Sequence, residues 1–169
     1  MKKWIFSLLS IVIVGCSSVY NVQNYNFDRN DSFIVIPFEN LTEVPLAGQR
    51  VSGIAEGVFI SKGFNISDRF YNSKDRDLSK KEIKDLIKEA YSKNLKYAVT
   101  GYVNEWRYKT GIDGEPAVSI TLKIIDTKTG KTVWTAVGSR TGWGHESLGT
   151  ITQKLLNEMI ERIKKVDEK

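Results

Sequence analysis

Cys16 is the only cysteine in this chain of 169 residues, and it stands near the start. Lys2 and Lys3 precede an apolar run over residues 5–14, and Ile13-Val14-Gly15 shrink toward a small side chain just ahead of the cysteine. A positive start, an apolar stretch and a small-residue cut site make a bacterial signal peptide over residues 1–15. Everything after Cys16 then folds without an internal disulfide, without a thiolate metal site and without a cysteine nucleophile. An exported domain of that kind rests on side-chain packing alone. The length left after the signal suits a single domain, 32–169, large enough to bury a core unaided.

A cysteine immediately after the cut site resembles the lipobox of bacterial lipoproteins. The resemblance implies acyl chains on Cys16 as the new N-terminus. A spanning helix is excluded by the length of the apolar run, since one needs ~20 residues; a plain secretory signal with an incidental cysteine is the rival reading. Ser17 stands where an aspartate commonly retains lipoproteins at the inner membrane, so the implied destination is the periplasmic face of the outer membrane. The formal charge of +5 falls by two, to about +3, when Lys2 and Lys3 leave with the signal. That balance is too mild to specify a partner. The lysines of residues 80–96 and Lys164-Lys165 read as solvated helix faces. Nucleic acid is not expected outside the cytoplasm, and no aromatic-basic stripe argues for it.

Residues 16–31 are polar and aperiodic and read as a lipidated tether, interrupted by Tyr20, Tyr25 and Phe27, which would pack on the domain or on a neighbouring subunit. At ~3.5 Å per residue the tether past the anchor reaches about 50 Å. Residues 33–36 read as a buried strand ending at Pro37, followed by a loop over 38–42. Val51, Ile54, Ala55, Val58 and Phe59 recur at helical spacing within 45–62, with Gly63 as a left-handed C-terminal cap. Gly53 and Gly57 share one face of that helix and are expected to pack closely on a sheet or a sister helix. After a short strand over 64–67, Ser79 and Glu82 form a capping box ahead of Ile83, Leu86, Ile87 and Ala90. Three strands follow, over 97–108, 118–125 and 133–140, the last two joined by a hairpin turn with Gly130 at positive φ. A final helix is expected over 146–165, with Glu146 and Lys164-Lys165 complementing its dipole. The order β-α-β-α-β-β-β-α gives an α/β fold with helices on a mixed, partly antiparallel sheet.

Chemistry is sparse. His145 is the lone histidine, with no companions at ligand spacing and no nucleophile to form a triad, and reads as a loop histidine. Glu105, Asp113 and Glu115 are the one carboxylate grouping near a hairpin, and no acid/base pair can be placed among them. No phosphate-cradling glycine loop is present. Neither catalytic residues nor a metal or other cofactor are expected. The unusual segment is 138–147, where Trp143 lies between two glycines. Its backbone is expected to be flexible and its indole either packed on the core or exposed to a membrane headgroup layer or a subunit contact. Arg140 is suited to a carboxylate or an aromatic face.

The opening Ile34-Val35-Ile36-Pro37-Phe38, with Asn40 and Thr42, resembles the first strand of lipoproteins related to the TolB N-terminal domain. Residues 100–109 (TGYVNEWRYK), residues 114–118 (GEPAV), Trp134 and residues 140–144 (RTGWG) together resemble the PelC family, outer-membrane lipoproteins of the Pel exopolysaccharide secretion system. The resemblance implies a non-enzymatic homo-oligomeric ring, a dodecamer, at the periplasmic mouth of a PelB-like β-barrel exporter. Its acidic funnel would guide a partly deacetylated, cationic polysaccharide to the pore. By motif position Trp143 would face the membrane side of the ring, with Arg140 in the same motif. Glu105, Asp113 and Glu115 are the funnel candidates, although the net positive chain gives the funnel no support. The competing expectation is a monomeric activator of a peptidoglycan synthase, for which a longer tether would be needed. A hydrolase is disfavoured by the lack of a catalytic constellation.

Overall fold

A computed structural model describes residues 17–21, 25–28, 30–111 and 114–165. The signal peptide, Cys16 and Asp113 lie outside the described residues. In chain order the elements are β1 (Ser17–Asn21), β2 (Asn26–Phe27), β3 (Ser32–Val35), β4 (Glu39–Asn40), α1 (Ala47–Ser61), β5 (Asn65–Ile66), α2 (Lys80–Ser92), β6 (Tyr97–Tyr108), β7 (Pro116–Asp126), β8 (Thr132–Thr141), α3 (Leu148–Glu161) and β9 (Lys164–Lys165). The expected α/β order is present, enlarged by β1, β2, β4 and β9.

Seven strands form one mixed sheet in the order β1-β8-β7-β6-β3-β5, with β4 also on β6. β6, β7, β8 and β1 are antiparallel, whereas β3, β4 and β5 pair in parallel. Parallel pairs need a crossover, and α1 supplies one between β3 and β5. The period of two along β7 decides the layers. Val118, Ile120, Leu122 and Ile124 join Phe33, Val35, Val99, Trp134 and Ala136 under α1 and α3. On the opposite face Ile34, Ala98 and Ile125 meet Ile83, Ile87 and Ala90 of α2. α2 covers only the β3–β6 side. Among the described residues the rest of that face, carrying Ser119, Thr121, Thr135, Val137, Ser18 and Tyr20, is bare or half-covered.

Local signals behave as their chemistry dictates. Ser79 Oγ accepts from the Glu82 amide at 3.3 Å, and the Glu82 carboxylate accepts from the Ser79 amide at 2.9 Å. Gly63 takes a φ of 75° behind α1, as a left-handed cap requires. Gly101 has no room for a side chain, because an added Cβ would stand 1.8 Å from the Thr121 carbonyl oxygen.

Several expectations are corrected. The stretch read as a tether is built into the domain: Ser17 to Asn21 pair antiparallel with residues 140 to 136, and Phe27 is fully buried. Apolar contacts scattered at irregular spacing leave no period in sequence, which is why the segment reads as linker. β4 replaces part of the expected loop over 38–42 by pairing with Tyr102 and Val103. Gly53 and Gly57 face outward from α1, and among the described residues no atom lies within 4 Å of a Cβ added at Gly57; the close-packed helical glycine is Gly48 instead. α3 stops at Glu161, and Lys164-Lys165 pair as β9 with β2. Among the described residues no helix is long and apolar enough to cross a membrane.

Candidate functional site

β8 leaves the sheet at Thr141 and reaches α3 through residues 142–147, the segment that carries Trp143. Gly142 is clamped: an added Cβ would lie 2.5 Å from Ile151 Cγ2, 2.8 Å from Glu146 Oε2 and 3.1 Å from Pro116 Cγ. Its amide donates to the Pro116 carbonyl at 2.9 Å. The Trp143 amide donates to Glu146 Oε2 at 2.9 Å, and the Glu146 amide returns a bond to the Trp143 carbonyl at 2.8 Å. Lys154 holds the other carboxylate oxygen at 2.6 Å. Trp143 therefore sits on a pinned turn, not a flexible one. Its indole is 44% exposed, so the fold fixes the backbone and leaves the ring partly out. A residue this exposed is not sealed in the core.

Glu146 is the residue that sequence reasoning misplaced. Expected to complement the helix dipole, it instead ties the turn, with its side chain only 11% exposed. The Lys154 ammonium, then the Trp143 amide, hold its carboxyl below the usual carboxylate range. A lowered folded-state value means the stabilisation is complete above about pH 4.3, the ordinary glutamate value, and is lost as pH falls through the folded value. Glu146→Gln is expected to lower stability by about 1 kcal/mol at pH 7, from a weakened charged hydrogen bond and ion pair. Denaturant titration at pH 7 and pH 3 checks this: the gap to the natural chain should shrink at the lower pH.

Arg140, partly buried, binds Glu158 of α3 at 2.5 Å and so clamps β8 to α3. Its expected carboxylate partner is thus within the same chain. Glu105 accepts from Arg107 at 2.8 Å, and Glu115 lies 3.7 Å from Lys109, so each described acidic candidate faces a neighbouring cation. A polar groove lined by Ser18, Glu105, Lys109, Ser139, Arg140 and Thr141 brings Glu105 and Arg140 to one end of the sheet. His145 is exposed on the Trp143 turn. Among the described residues no three His, Cys, Asp or Glu side chains converge to hold a metal ion.

The chain's entry point joins this end. Ser17, one residue beyond Cys16, is the register partner of Arg140. Two further exposed rings were not singled out as site residues by the sequence. Tyr20, 71% exposed, lies opposite Val137, 44% exposed, on the bare face of the sheet, and Tyr108 is 50% exposed at the end of β6. Only the strand register shows which of these aromatics point outward.

No protein-family model and no curated protein matches the chain. Solved structures do. The PelC dodecamer from Paraburkholderia phytofirmans in space group P6 is 30% identical, covers 90% of this chain and 100% of its own, and superposes with a TM-score of 0.74. A point variant of the same dodecamer in space group C2 is 31% identical over 86% of this chain and 96% of its own, with a TM-score of 0.71. Lipoprotein GNA1162 from Neisseria meningitidis shares the fold at 13% identity over 78% of this chain and 99% of its own, with a TM-score of 0.53. Sequence identity sustained across nearly the whole described domain, on the same arrangement of sheet and helices, places this chain in the PelC family.

Proposed function

We propose that this chain is a non-enzymatic outer-membrane lipoprotein, anchored through acyl chains on Cys16, that forms a ring at the periplasmic mouth of a PelB-like β-barrel exporter and guides a cationic exopolysaccharide to the pore. The observation that carries the reading is the 30% identity, over 90% of this chain, to a PelC that assembles as a dodecamer. A ring requires two different, complementary surfaces on each protomer. Tyr20 and Val137, exposed side by side on the bare sheet face, supply an apolar patch for a sister protomer to cover.

In this reading Trp143 faces the headgroup layer, where an indole fits with its apolar body down and its N–H in contact with water. Arg140 acts from behind, holding β8 and α3 at the angle that presents the ring. Glu105, Asp113 and Glu115 are the polymer-facing carboxylates. Exposed ion pairs are worth about 0–1 kcal/mol, so a passing polycation exchanges easily with Arg107 and Lys109. The incoming chain would be held briefly rather than trapped.

Complementation tests this. In cells lacking the protein, the natural sequence should restore secreted exopolysaccharide, and Trp143→Ala should restore much less while losing under about 1 kcal/mol of stability, as expected for a partly exposed side chain. Full export by Trp143→Ala would remove the tryptophan from the account. A large fall in melting temperature would show instead that the ring supports the core.

A further inference from the structure

The register of the sheet gathers more than Trp143 at the end where the chain begins. Across β1, β8, β7 and β6 the terminal positions are Ser17 with Arg140, Thr141 with Ala117, and Pro116 with Tyr108. The Gly142 amide bonds the Pro116 carbonyl at 2.9 Å, and the Lys109 amide bonds the Glu115 carbonyl at 2.7 Å. The Trp143 turn and the start of the β6–β7 connection are therefore stitched into one continuous end. Two exposed aromatic rings, Trp143 and Tyr108, stand on it, with the exposed cations Arg107 and Lys109 beside Tyr108.

We propose that Tyr108 and Lys109 form a second lipid-contacting foot beside Trp143, taking the headgroup layer of the same leaflet that holds the anchor. The proposal rests on the lipid-anchor reading of Cys16. With Ser17 already in the sheet, no residue separates the acylated position from the folded domain, so this end lies against the membrane whenever the anchor is inserted. Tyrosine and tryptophan favour the boundary between headgroups and acyl chains, and a lysine stem lies along apolar surface with its ammonium in the headgroups. Arg107 and Lys109 face Glu105 and Glu115, so the contact is one of partitioning rather than of net charge. Glu105 lies three residues up β6, about 10 Å from Tyr108 at ~3.4 Å per residue, and stays clear of the headgroups for the polymer, whereas Glu115, paired with Lys109, goes with the foot and leaves the polymer-facing set. Anchor and foot together stand the β6–β8 strands steeply on the membrane, with the Asp126–Gly130 turn at the far end.

The test uses the full lipidated protein in phosphatidylethanolamine–phosphatidylglycerol vesicles. With Cys16 acylated, an NBD fluorophore is placed at Thr110→Cys or, as the far-end control, at Lys128→Cys; both positions are exposed. The proposal predicts blue-shifted emission and protection from an aqueous quencher at 110, unchanged by high salt, and neither at 128. Brominated lipids read Trp143 in parallel, since Trp106 and Trp134 are buried. Quenching of Trp143 with residue 110 still aqueous overturns the foot, leaves the anchored tryptophan standing, and gives the connection to a protein partner. Shifts at both 110 and 128 overturn it by laying the domain flat. If neither Trp143 nor residue 110 meets lipid, the foot and the membrane-facing reading fail together.

Discussion

Phe27→Ala is expected to destabilise the domain by about 4 kcal/mol, the usual cost of emptying a phenylalanine site in a core. The ring is fully buried, with centroids 4.8 Å from Tyr25, 5.7 Å from Phe33 and 5.1 Å from Tyr97. Tyr97 is itself on β6 and Phe33 on β3, so the N-terminal segment closes the seam between the central parallel strands and the C-terminal β9. Removing the ring leaves a cavity lined by rigid aromatics, which relax poorly. Equilibrium unfolding in denaturant should show a lower midpoint with an unchanged slope. A loss below about 1 kcal/mol, the range of surface substitutions, would show that residues 25–27 merely lie on the domain.

Cys16→Ala is expected to move the protein from the membrane fraction to the soluble periplasm. Acyl chains contribute about 0.8 kcal/mol per buried CH2, and two or more chains anchor stably where one is marginal. In the proposed orientation the aromatic rings at the Ser17 end would add only interfacial contact, too little to retain the protein alone. Fractionation followed by immunoblotting reads the outcome. Retention of Cys16→Ala in the membrane pellet would sink the lipid anchor and, with it, the reason for placing this end of the sheet against a leaflet.

Elements with a period were legible in the sequence. β6 spans the expected residues, α2 begins at its capping box, and the polar and apolar faces of β7 are the ones its alternation predicts. What escaped was held by contacts without local signature. Tyr20, Tyr25 and Phe27 are spaced as in any polar linker, and only the partners they find, Val137 across the sheet edge and the Phe33–Tyr97 cluster, make them structural. Gly53 and Gly57 looked like packing residues because a glycine inside a helix weakens it by about 1 kcal/mol. The structure leaves their face open, while the glycines that must be glycine, Gly48 and Gly101, lie under the Phe38 and Thr121 carbonyls.

The candidate site divides the same way. Trp143 was legible by type, but two flanking glycines suggested looseness. The lock comes from Glu146, three residues on, and from Lys154 a further eight along α3, a pairing no motif announces. Arg140 found the carboxylate its guanidinium suits, on α3 rather than on a partner. The acidic trio was readable as composition and not as a field, because Arg107 and Lys109 neutralise Glu105 and Glu115 locally.

The ring is the claim on which the functional account turns, and native mass spectrometry of the mature lipidated protein, released from detergent, tests it most directly. The account predicts an assembly of about twelve protomers, as in the PelC dodecamer to which the chain is similar. A single protomer at every concentration would contradict it.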